Sequence, residues 1–193
     1  ISNVLTYTLS EIMAGIEFIS RTAISKNRPV VIILSTGSTE ESHDGNIIFT
    51  RYLNTLASNR STAIICGFGN QGSANGHASA ILNNMGETKS SELSIPREMK
   101  HLTFRVWCRK PGKTAINIIS PSGQNSQFIM PKIRVYRTIK YVKENTTLDV
   151  SIFTPEAITG NQMIVLEFSD IKPGIWTIQL TSQHDDSFKY DIW

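Results

Sequence analysis

The sequence predicts two folded parts: an α/β segment built on parallel strands over residues 1–88, then an all-β antiparallel sandwich over residues 89–193. Three observations support this division. The first part alternates amphipathic stretches with short runs of Val and Ile, the rhythm of a parallel sheet covered by helices. The second part alternates apolar and polar residues with period two between turn clusters. Between them, from about Met85 to Glu98, the chain turns polar and Ser-rich and carries Pro96.

From Thr8 to Asn27, Ile12, Ile16, Ile19 and Ala23 recur on one face with Met13 and Ile24 beside them, which predicts a helix of about four turns. Thr8 or Ser10 can cap its start, and Asn27 followed by Pro29 closes it. Pro29 to Ser35 is almost wholly apolar and β-branched, as expected of a strand buried on both faces. After a loop containing His43, Asp44 and Gly45, the residues Ile48, Phe49, Tyr52, Leu53 and Leu56 outline a second helix, and Thr62 to Gly67 a second buried strand. Asp44 is suited to cap the helix that opens near Asn46. Seven further strands are expected: His101 to Trp107, Ala115 to Ile119, Ile133 to Tyr136, Thr147 to Phe153, Asn161 to Phe168, Ile175 to Leu180 and Ser187 to Trp193. Pro111-Gly112, Pro121-Ser122-Gly123 and Pro173-Gly174 mark turns, each joining a fixed φ to a residue free of Cβ.

Composition narrows the function. The longest apolar run, Val30 to Leu34, is far short of the ~20 residues of a membrane helix, so no membrane span is expected. The formal charge of +3 is spread along the chain rather than gathered on a stripe with stacking aromatics, which disfavours nucleic acid as a partner. Cys66 and Cys108 each sit in an apolar strand-like stretch and read as buried thiols. No Cys-x-x-Cys pair or His-x-x-x-His spacing occurs, so neither a metal nor a cofactor is expected. Ile1 at the start and a strand-like segment ending at Trp193 suggest a piece of a longer protein.

In parallel α/β sheets the ligand crevice lies beyond the carboxyl ends of the strands. Those ends here are Ser35-Thr36-Gly37 and Gly67-Phe68-Gly69-Asn70-Gln71-Gly72. Three glycines in six residues let a backbone approach a ligand closely, and Asn70 offers an amide donor of the kind that stabilises an oxyanion. The same residues also read as a tight turn whose Asn tolerates a left-handed conformation. Neighbouring His43 and Asp44 read as loop-ordering residues. His77 either lines the crevice or is satisfied within its own loop. Trp107, Trp176 and Trp193 read as strand core, against the alternative of sugar-stacking platforms. Arg134, Arg137, Lys140 and Lys143, with Tyr136 and Tyr141, read either as a solvated strand face or as a docking surface for an acidic partner.

The run Pro29 to Gly37, the loop Ser42-His43-Asp44-Gly45, the turn Gly69-Asn70-Gln71-Gly72 and His77 together resemble the middle of subtilisin-like serine proteases, and more narrowly the clostridial Csp germination-protease group. Lys172 to Ile178 and Tyr190 to Trp193 resemble the end of that group's inserted jelly roll, so the likeness spans the chain. It implies that Asn70 is the oxyanion-hole donor, that Ser35, Thr36 and Gly37 pair with substrate backbone, and that Gly67, Phe68 and Gly69 form a wall of the S1 pocket. It also implies a peptide or protein substrate and a spore-associated or extracellular setting. The family's Asp, His and Ser motifs are absent; by its order the first two precede Ile1 and the serine follows Trp193, so the chain alone is expected to be inert as a peptidase.

Three positions depart from the family pattern. Phe68 stands where a small residue is usual, Gln71 replaces the usual Glu, and Ile33-Leu34-Ser35 lacks the family's Asn. Such changes fit an endopeptidase of altered specificity. They also fit a pseudoprotease that keeps the fold and binds a small molecule or a protease partner. A third reading makes the sandwich alone a binding module.

Overall fold

The computed structural model describes residues 7–37, 41–67, 69 and 72–193. The chain divides into two compact units, Ile1–Ser38 with His43–Ser73, and Thr39–Ser42 with Ala74–Trp193. Among the described residues the fold is mostly β, with antiparallel sheets and two helices, and the α/β part amounts to one parallel pair of strands.

In the first unit, helix α1 (Leu9–Ser25) starts at a capping box. The Thr8 hydroxyl accepts from the Glu11 backbone N–H at 3.3 Å, and the Glu11 carboxylate accepts from the Thr8 backbone N–H at 2.7 Å. Asn27 adopts a left-handed φ of 52° just past the helix. The covered face differs from the expected stripe: Ile16 and Ser20 are buried, whereas Ile19 and Ile24 are exposed. Strand β1 (Val30–Leu34) pairs in parallel with β2 (Thr62–Cys66), Leu34 opposite Cys66, and helix α2 (Ile48–Ala57) joins them. The Tyr52 hydroxyl on α2 reaches the Met13 carbonyl and the Glu17 carboxylate on α1, both at 3.3 Å. The strands are covered on one face only. Ile32 is buried, but Val31 and Ile33 are 61% and 70% exposed, which corrects the expectation of burial on both faces. Side chains alternate across a strand, so an uncovered sheet face bares every second residue.

Two sheets make the second unit. One has three strands in the order β4-β10-β6, namely Thr88–Ile95, Gly174–Ser182 and Thr114–Ile119. The other has six in the order β3-β11-β5-β9-β8-β7, namely Ala78–Leu82, Phe188–Ile192, Met99–Cys108, Gln162–Ile171, Thr146–Phe153 and Val135–Tyr141. All of these pairings are antiparallel. Both sheets contribute to one hydrophobic core, including Ile116, Ile118 and Trp176 from the smaller and Val106, Leu148, Ile164 and Phe168 from the larger, an arrangement compatible with a β-sandwich.

The seven expected strands are present with shifted ends, and two more precede them. Strand β4 occupies the polar stretch: Lys89, Ser91 and Leu93 are half-buried and Ile95 is buried, while Thr88, Ser90, Glu92 and Ser94 are exposed. It is an edge strand paired only with β10, and such strands need little apolar content. Residue 88 therefore begins β4, and β3 lies within the second unit. Gly112 is required for close approach rather than for φ, since a Cβ there would lie 2.1 Å from the buried Phe188 ring. The basic cluster disperses, because Tyr141 is fully buried and register puts Arg137 and Lys140 on opposite sides of β7.

Trp176 is the largest fully buried side chain. Its ring meets Tyr141 at 4.9 Å and Phe168 at 5.2 Å, both edge to face, and its indole N–H donates to the Lys172 carbonyl at 3.1 Å. The Tyr141 hydroxyl donates to the Ile118 carbonyl at 3.0 Å, and burial pushes its pKa well above the ordinary tyrosine value. That carbonyl also accepts from the Ser126 N–H at 2.9 Å, so removing the hydroxyl leaves no orphan. Chemical denaturation should therefore separate two variants: Trp176→Ala loses about 3–5 kcal/mol of stability, and Tyr141→Phe about 0.5–1.5 kcal/mol.

Candidate functional site

The candidate site is built where β1 and β2 end. Parallel pairing brings both carboxyl ends to the same edge of the pair. The ladder extends one bond past the strands, with the Gly67 N–H donating to the Leu34 carbonyl at 2.8 Å. Ser35, Thr36 and Gly37 leave β1 exposed and outside regular structure, and Gly67 and Gly69 leave β2 in the same way. The structure thus sets Gly67 beside Leu34 and Ser35, and Thr36, Gly37 and Gly69 follow from the same two strand ends. Phe68 and Asn70 lie outside the described residues, as does Gln71.

The glycines are not equivalent. Gly69 has φ +83°, a left-handed conformation that favours glycine. At Gly67 an added Cβ would sit 3.5 Å from the Leu34 carbonyl oxygen and the Ser35 Cα, ordinary van der Waals contact. Gly67 is therefore not sterically required.

The loop between β1 and α2 is ordered locally. Asp44 accepts from the Asn46 N–H at 3.0 Å, forming an Asx turn. The N-cap of α2 is Ile47, with no side-chain cap, so Asp44 orders the loop and does not cap the helix as expected. His43 has φ 48°, a left-handed turn conformation.

In the second unit, His77 is engaged rather than open. Its Nε2 lies 3.0 Å from Asp191 Oδ1, and its ring stacks on Trp193 with centroids 3.7 Å apart and planes 9° from parallel. Asp191, buried beside β5, also pairs with Lys189 at 2.8 Å, and Arg109 stands at 4.0 Å. Local sequence could not reveal this pairing, because the partners stand 114 positions apart. Trp107 and Trp176 are buried and Trp193 is half-buried under His77, so none is an exposed sugar platform. Among the described residues no three His, Cys, Asp or Glu side chains are grouped to hold a metal ion, and no helix is long and apolar enough to cross a membrane.

Cys108 is the buried thiol expected, and Cys66 is not. Cys66 is exposed at the end of β2, beside the candidate site, whereas Cys108 is fully buried and both are free. Burial pushes the Cys108 thiol up to about 12, with the Thr114 hydroxyl at 3.3 Å opposing the shift and the Asp191 charge adding to it.

No protein-family model matches the sequence, and neither does a curated protein. The fold, however, is similar to part of a solved structure. The chain is similar to the structure of the Clostridium perfringens CspB protease, with a TM-score of 0.87 and 19% identity. The match covers 100% of this chain and 41% of that one.

The thiol difference is measurable. A maleimide reagent should modify one cysteine per native chain, Cys66, and a second only after unfolding, because the thiolate is the reacting species and burial suppresses it at Cys108. Peptide mapping identifies the labelled position.

Proposed function

We propose that this chain is the central part of a subtilisin-like serine endopeptidase, the first unit a piece of its α/β catalytic domain and the second an inserted jelly roll. The observation that carries the reading is the similarity of the whole chain to part of the CspB protease. The parallel β1–β2 pair, with Ser35 to Gly37 and Gly67 exposed at one edge, supports it.

In this reading Ser35, Thr36 and Gly37 hold substrate backbone as an added strand. Gly67, Phe68 and Gly69 line one side of the pocket for the residue before the scissile bond. The Asn70 amide donates to the carbonyl oxygen as negative charge develops, and a donor preorganised for that moment stabilises the transition state more than the ground state. Acyl transfer also needs a hydroxyl nucleophile, an imidazole base and an orienting carboxylate within hydrogen-bond reach. The motifs that supply them in subtilisin-like proteases are absent from the sequence. The chain alone is inert, and the residues that complete the reaction belong to a longer polypeptide.

The alternative is a relative that binds a small molecule or a protease partner without cleaving; Phe68 and Gln71, which depart from the subtilisin-like pattern, fit it as well as they fit an enzyme of altered specificity. One experiment separates the two. The longer polypeptide, but not this chain, should be labelled by a serine-directed phosphonate and should cleave fluorogenic peptides. Asn70→Ala should then cut kcat by about 10²–10³-fold. Labelling with turnover unchanged by Asn70→Ala removes the oxyanion role. A folded, unlabelled polypeptide supports the non-cleaving relative.

A further inference from the structure

We draw no further inference here: the strongest candidate, the uncovered apolar face of the β1–β2 pair that bears Val31, Ile33 and Ile65, carries nothing because nothing among the described residues shows what covers it.

Discussion

The second unit depends on an aromatic junction between its sheets. Trp176 lies on the smaller sheet, Tyr141 and Phe168 on the larger, and the three rings meet edge to face. Dispersion and the ring quadrupoles favour this geometry, and area burial adds the larger part of the stabilisation. The polar ends of the two amphipathic rings are satisfied without water: Tyr141 donates to a carbonyl of the opposite sheet, and the Trp176 indole to the turn before its own strand. Each therefore fixes position as well as filling volume, since an unmet donor at this depth would cost more than the bond contributes. Aliphatic layers of β5, β8 and β9 then extend the core on either side.

The first unit is organised differently. Its two strands are held by a short parallel ladder and by helices on one face, and the opposite face presents Val31, Ile33 and Ile65 to solvent. Contiguous apolar surface of this kind marks a contact face in most proteins. The feature agrees with the proposal that the chain is the middle of a larger catalytic domain, as does the match to 41% of the CspB chain.

The shared edge at which β1 and β2 end was legible in advance for a simple reason. Parallel strands end on the same side, so two apolar β-branched runs with a helix between them locate a common edge before any coordinates are known. Ser35 to Gly37, Gly67 and Gly69 stand at that edge. Other features left no such trace. The His77–Asp191–Trp193 cluster joins residues from opposite ends of the second unit, and nothing in the neighbourhood of His77 records its partners. Strand β4 escaped because its alternation runs through Ser, Lys and Glu, which carry the pleat without the apolar signal.

Local chemistry was enough to place α1 and narrow its cap to Thr8 or Ser10, and to give the parallel pairing implied by β1-α2-β2 and most strands of the second unit, because propensity, capping and period are properties of a few consecutive residues. Exposure was decided elsewhere. Cys66 and Cys108 sit in similar apolar runs, yet one is open and the other fully buried; Val31 and Ile32 are neighbours with opposite fates. Burial depends on which face another element covers, and coverage is a property of the assembled sheet rather than of the residue.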